Sequence, residues 1–272
     1  MGRRLVNGSD VGGVAADDRG LQYGDGLFET MTAANGRIRN FVLHMARLED
    51  GCRRLGFPRP DARLVERECA NALGELGSGV VKLVLTRGPG PRGYRPPAEP
   101  SITRVITASA ARPALAAPEA LTVRVCDTRL GVNPRLAGIK HLNRLEQVLA
   151  CAEWTDTNVA EGLMLSVDGR LISATAANVF LVSGNVLRTP DVRDCGVSGV
   201  MRQVVLRAAE ELALTVDVAD VGLEALASAD EVFLTNAVAG IRPVRALVGH
   251  GEWPLGNVTQ LLMAHLSARG EG

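Results

Sequence analysis

Three short turn signals constrain this chain more than any other feature. Asn35-Gly36 separates LFETMTA from RIRNF, Asp168-Gly169 separates GLMLSV from RLIS, and Gly184 separates NVFLVS from NVLRTP. Asn-Gly and Asp-Gly tolerate positive φ, and such a pair between two apolar runs predicts a tight antiparallel hairpin. Both halves of the chain must therefore hold antiparallel sheet. Helical spacing alternates with these strands. Met45, Leu48, Cys52 and Leu55 recur on one helical face over 44–55, with Gly56 and Pro58 ending the run. A second helix is expected over 62–76, strands over 80–86, 102–109 and 121–127, and a helix over 199–212 capped by Ser198. EVFLTN is read as the last strand, before a short terminal helix. The pattern is α/β (α+β) in two domains. The N-terminal α/β domain is placed over 1–112, a linker over 113–119 within the Ala/Pro-rich AARPALAAPE, and the C-terminal domain over 120–272.

Composition closes several routes. With 272 residues and 46% hydrophobic content the chain can bury a real core. Lys plus Arg equals Asp plus Glu at 30 each, so no basic excess exists to track a phosphate backbone, and nucleic acid is not an expected partner. Cys52, Cys69, Cys126, Cys151 and Cys195 are odd in number, widely spaced and form no C-x-x-C pair, which argues against both a disulfide framework and a zinc site. The four histidines show no ligand spacing, so no metal is expected. No window approaches the roughly 20 apolar residues of a membrane span, and no apolar run follows the N-terminal arginines, so a cytoplasmic protein is expected.

The chemistry centres on LAGIKHLNRLEQVLA, 136–150. Lys140 is read as standing at the start of an amphipathic helix that runs to about Trp154. A lysine there is ordinarily a solvated charge. The positive end of the helix dipole disfavours a cation, however, and so favours the neutral amine that a Schiff-base lysine must supply. Arg47, in HMARLED, is read on the helix face opposite the apolar stripe and by itself reads as a surface arginine. CGVSGVMRQ opens a helix with two glycines, leaving N–H groups that suit a phosphate. LTNA, at the end of EVFLTN, could add backbone donors. Tyr94 lies in the long loop RGPGPRGYRPPAEP with Arg87, Arg92 and Arg95, a setting that fits an anion-binding pocket better than a core.

These segments, from YGDGLFET through HMARL, RGY, GIKHLNRLEQVLA, AANVFLV and GVSGVMRQ to ADEVFLTNA, together resemble the fold-type IV pyridoxal-phosphate enzymes. That family, with a D-amino-acid aminotransferase-like fold, holds branched-chain and D-amino-acid aminotransferases and 4-amino-4-deoxychorismate lyases; KHLNRLEQVLA, RGY and GVSGVMRQ resemble the lyase branch most. The resemblance implies the cofactor pyridoxal 5'-phosphate, carried covalently on Lys140, with Arg47 and the helix start at Gly199, Val200 and Met201 holding its phosphate. Asn178, Asn236 and Ala237 match further cofactor positions; Ala237 lacks the hydroxyl often found there, leaving only its backbone N–H. Phe28, Tyr94 and Arg92 match the substrate side, and the Tyr94 loop implies a homodimer with a shared active site. One departure stands out. Where the family usually carries a glutamate that keeps the cofactor's pyridine nitrogen protonated, GRLISATAANVF places Ser173. A serine cannot hold that charge, so the resemblance implies a lyase, whose elimination is driven by aromatisation, ahead of a D-amino-acid or branched-chain aminotransferase. A family member that binds the cofactor without turnover is the third alternative.

Overall fold

The computed structural model describes residues 3–110 and 120–271. The expected linker, 113–119, lies outside the described residues. Two compact units result, and the first takes back a short later segment: Met1–Ala114 with Ile139–Asn143, against Leu115–Gly138 with Arg144–Gly272.

The first unit is built on β1 (Arg4–Val6), β2 (Gly26–Ala34), β3 (Arg37–Ile38), β4 (Gly79–Thr86) and β5 (Thr103–Ser109). They form an antiparallel sheet in the order β1-β5-β4-β2-β3. The hairpin expected at Asn35-Gly36 joins β2 to β3. Helices α1 (Arg19–Tyr23), α2 (Phe41–Leu55) and α3 (Ala62–Leu73) accompany it. α2 starts three residues earlier than the spacing predicts, and Gly56, in the left-handed region, ends it. The segment expected to extend α3 to residue 76 tightens instead into a 3₁₀ turn, Gly74–Leu76. Strand β2 alternates strictly: Leu27, Glu29, Met31 and Ala33 face inward, while Phe28, Thr30 and Thr32 are half-buried. Gly51 of α2 faces Leu27, where an added Cβ would lie 2.8 Å from a Leu27 methyl. A glycine here lets α2 press close to β2.

The second unit carries β6 (Leu121–Val125), β7 (Val159–Leu165), β8 (Arg170–Ala174), β9 (Asn178–Ser183), β10 (Val186–Pro190), β11 (Thr215–Ala219), β12 (Val221–Gly222), β13 (Glu231–Asn236), β14 (Gly240–Leu247) and β15 (Gly251–Glu252). Its sheet runs β11-β10-β9-β13-β14-β6-β7-β8-β12, with β15 on β14. Helices α4 (Leu145–Cys151), α5 (Val200–Glu211) and α6 (Asn257–Ala268) complete it. Its two faces bury separate clusters, one holding Val123, Leu163, Leu165 and Leu171, the other Cys126, Leu130, Met164 and Ile172. EVFLTN does not close the sheet: β14 follows and pairs with both β13 and β6. Pro243 in GIRPVRAL argues against a strand in sequence. It is tolerated because pairing with β6 begins only at Val244, so its missing N–H lies outside that ladder.

Candidate active site

In the first unit the site is built around one aromatic ring. Lys140 Nζ lies 4.5 Å from the centroid of Phe28, and Lys82 Nζ lies 5.3 Å from the same centroid. These are the only two lysines in the chain. Lys140 is half-buried and held by backbone: its carbonyl accepts from the Phe28 N–H at 2.9 Å, and the Leu142 N–H donates to the Gly26 carbonyl at 3.0 Å. The segment 139–143 thus lies along β2 as an extended strip. This corrects the expectation of a helix start. α4 begins at Leu145, five residues further on, so Lys140 stands outside its first turn, while the Phe28 ring is within reach.

Behind Phe28, Glu29 points into the core, and sequence reasoning missed it. Arg47 Nε donates to Glu29 Oε1 at 2.8 Å and Arg47 Nη2 donates to Oε2 at 2.5 Å, while His44 Nδ1 lies 2.7 Å from Oε2. Arg47 is therefore on the buried side of α2 beside His44, not opposite the apolar stripe, and its side chain is 7% exposed. Burial pushes the Glu29 carboxyl up, but the Arg47 charge and the hydrogen bonds from His44 and Arg47 outweigh it and hold the group below its ordinary value. The signal was present in LFETM: on a period-2 strand, a carboxylate in phase with Leu27 and Met31 must find a buried partner.

The 87–100 loop also belongs to this unit. Tyr94, Arg92 and Arg95 are exposed, whereas Arg87 turns inward and forks onto Asp25 with Nε–Oδ2 at 2.7 Å. Arg87 is therefore not part of the outward arginine set expected from the sequence.

In the second unit the cradle expected from the sequence is assembled by α5, β9 and the β13–β14 turn. The helix cap is Gly199 rather than Ser198: its backbone is extended and no side chain caps α5. An added Cβ on Gly199 would fall 2.0 Å from Asn178 Oδ1, so only glycine fits there. Asn178 Nδ2 anchors the approach by donating to the Val197 carbonyl at 2.9 Å. The first-turn N–H groups of α5, at Val200 and Met201, are left without a capping side chain, and the helix N-terminus favours an anion. Asn178 stands in register with Thr235, next to Asn236. The Asn236 side chain is spent locally: Oδ1 accepts from the Val238 and Ala239 N–H groups at 3.0 and 2.8 Å, and Nδ2 donates to the Ala176 carbonyl. The Asn236 amide therefore offers nothing further to a ligand, and Ala237 brings no hydroxyl. These features fit a phosphate held by backbone donors.

Ser173 is buried on β8, in register with Met164. Two carboxylates lie nearby in sequence: Asp168, an exposed turn residue paired with Arg170, and Glu161 on β7, bonded by the Thr175 hydroxyl. Glu161 stands in register with Val123, and Val123 and Met164 belong to opposite faces of the sheet. Glu161 therefore lies on the face opposite Ser173 and does not take the place of a carboxylate there. Burial pushes the Glu161 carboxyl above its ordinary value, against the lowering effect of bonds from Thr175, Gly162 and Ala176.

The sequence pattern of the class IV aminotransferases matches residues 26–247, and the chain belongs to that family. Within it, the chain is 37% identical over 96% of its length to an aminodeoxychorismate lyase from Vibrio harveyi, of which the match covers 98%. The crystal structure of 4-amino-4-deoxychorismate lyase from Pseudomonas aeruginosa superposes with a TM-score of 0.92 at 46% identity, covering 99% of this chain and 100% of that one. A branched-chain amino acid aminotransferase from Escherichia coli gives a TM-score of 0.88 at 25% identity, covering 100% and 96%.

Proposed function

We infer that the chain is a pyridoxal-phosphate-dependent lyase that converts 4-amino-4-deoxychorismate to 4-aminobenzoate and pyruvate, a step toward folate. The observation that carries this reading is end-to-end similarity to lyases at higher identity than to the aminotransferase. The absence of a carboxylate at position 173 favours the same reaction.

Lys140 is the residue assigned to hold the cofactor, and Arg47, Gly199, Val200, Met201, Asn178 and the backbone of Asn236 and Ala237 are assigned to bind it. When bound, the cofactor acts as an electron sink for the amine it carries. Lys140 Nζ, once free, would take the proton from substrate C4 as the C3–O bond breaks and the ring becomes aromatic, and the departing enolpyruvate would be protonated to pyruvate. The same amine would serve as the nucleophile that frees 4-aminobenzoate. Glu29 and His44 orient the Arg47 guanidinium. Phe28 packs against Lys140, while Tyr94 and Arg92 are assigned to the substrate side.

A homodimer in the cytoplasm completes the reading. Leu145, Val148 and Leu149 form an exposed apolar stripe on α4, more surface than a lone helix ordinarily leaves in water. Among the described residues no helix is long and apolar enough to cross a membrane. The experiment is direct: the purified, cofactor-loaded protein is given 4-amino-4-deoxychorismate, and pyruvate and 4-aminobenzoate appear in equal amounts. Amino transfer to a keto acid with no pyruvate would establish the aminotransferase alternative. Mixing Lys140→Ala with Tyr94→Ala chains restores activity if each site draws on two chains, and a monomer by light scattering refutes that part.

A further inference from the structure

Against the 87–100 loop lies a cluster of buried charge that the reaction does not use. Arg19 is 3% exposed, yet its guanidinium points at a surface loop. Its Nε donates to Asp25 Oδ2 at 3.0 Å, Nη1 to the Gly93 carbonyl at 2.9 Å and Nη2 to the Tyr94 carbonyl at 3.0 Å. From the other side the Gly93 N–H donates to the Tyr23 hydroxyl at 3.2 Å, and the Arg19 guanidinium stacks 4.8 Å from the Tyr23 ring centroid. The same Asp25 takes the fork of Arg87, whose Nη2 reaches the Leu55 carbonyl at 2.8 Å. Further back, the Arg19 N–H donates to the Gly88 carbonyl at 2.9 Å.

Two arginines thus share one carboxylate in a nearly dry setting, an arrangement that contributes little to stability for the desolvation it costs. What it secures is conformation. The backbone of residues 93 and 94 is gripped at both carbonyls and at one N–H, while the Tyr94 ring, 86% exposed, points outward with its edge on Tyr23. Arg92 and Arg95 flank it, both exposed.

We propose that Arg19, seconded by Tyr23, is a positioning residue that acts through Tyr94: it fixes the loop tip so that Tyr94, Arg92 and Arg95 stand ready as a wall for an anionic, carboxylate-bearing ring substrate. This rests on the lyase reading and on Tyr94 facing substrate. Preorganised side chains bind without the entropy loss of ordering a loop, so the benefit falls on substrate binding rather than on the proton transfer at Lys140.

The test uses the cofactor-loaded full chain with Arg19→Lys, which keeps a charge for Asp25 but loses the fork, and Tyr23→Phe, which removes one hydroxyl and little else. Two readouts are taken. Trypsin cleavage after Arg92 should accelerate at least about tenfold in Arg19→Lys and by less in Tyr23→Phe, since cleavage follows the open population of the loop. The KM for 4-amino-4-deoxychorismate should rise about tenfold with kcat within about twofold and the bound-cofactor absorbance unchanged. In the Tyr94→Ala background, Arg19→Lys should add nothing further, the signature of two residues acting as one. Faster cleavage with an unchanged KM, or additive effects in the double variant, overturns the positioning role. Equal cleavage in parent and both variants overturns the clamp itself. If Arg19→Lys does not fold, Tyr23→Phe carries the comparison alone. If the parent releases no pyruvate, the lyase reading fails, and the cleavage rates still decide whether the clamp exists.

Discussion

Replacing Arg47 by alanine should unfold this protein more readily before it loosens any cofactor. A surface arginine holding only a phosphate could be removed with the fold intact. Arg47 instead makes two hydrogen bonds to Glu29, whose side chain is 2% exposed. Removing one member of a buried pair costs about 3–5 kcal/mol, because the other charge stays buried. His44 Nδ1 remains 2.7 Å from the carboxylate, so the loss should fall at the lower end, about 3 kcal/mol. At about 2–4 °C per kcal/mol for chains near this size, the midpoint should drop by roughly 6–12 °C.

The assay is urea and thermal unfolding of cofactor-free protein for Arg47→Met, Glu29→Gln and the double variant. The coupling between the two substitutions should be about 2 kcal/mol, and additivity within about 0.5 kcal/mol would refute the argument. The pH dependence adds a check of sign. Glu29 is lowered from its ordinary 4.5, so its contribution is complete above that value and lost as pH falls through the folded value. The stability gap between parent and Glu29→Gln should accordingly be full at pH 7 and close in acid below about pH 4.5. A gap that persists unchanged at low pH would mean that the carboxylate charge is not what holds Arg47.

Borohydride reduction of the holoprotein should fix the cofactor to the peptide containing Lys140, with Lys82 the sole competing lysine, and Lys140→Ala should lose several orders of magnitude in kcat; label on Lys82 refutes the assignment. Glu161, whose carboxyl is raised by burial, favours folding at low pH and loses that contribution as pH rises through its folded value, so Glu161→Gln should stabilise the chain relative to the parent at pH 8 and lose that advantage in acid, as read by urea midpoints; no gain at pH 8 would sink the idea. Ser173→Glu should raise amino transfer from D-alanine, seen as conversion of the cofactor band to its amine form, while the parent shows little; brisk transfer by the parent would show that the missing carboxylate is not needed.

Much of this architecture was legible because it is local. The hairpins at Asn35-Gly36, Asp168-Gly169 and Gly184 depend on turn residues alone and occur where the pairs stand. β14 was hidden by Pro243, whose penalty disappears only when its neighbour strands are known. The helical spacing of LEQVLA continues in sequence back over HLN and so puts Lys140 on a helix, although strand β2 claims that segment through pairing more than 100 residues away in sequence, as at Leu27 and His141. Ser198 looked like a cap because serine usually is one; Asn178, brought in from β9, instead crowds Gly199 and leaves the helix start bare. Glu29 and Arg19 escaped notice for a shared reason, since each is explained only by partners on other elements.

The choice between the two basic side chains follows the same division. All but two of the 30 basic residues counted as Lys and Arg are arginines, and the buried or half-buried pairs Arg19–Asp25, Arg87–Asp25, Arg47–Glu29 and Arg104–Glu68 each use one. A guanidinium does not lose its proton at physiological pH and presents a planar fork that matches a carboxylate, so it fixes a loop or a neighbouring side chain without titrating. An ammonium titrates more readily and is the form from which a nucleophilic amine is obtained. The chain has its two lysines together at the ring of Phe28 and nowhere else. On the proposed assignment, a carbonyl-bearing cofactor, which condenses with amines, meets lysine amines only beside Phe28, while the arginines fix their own neighbours without competing for it.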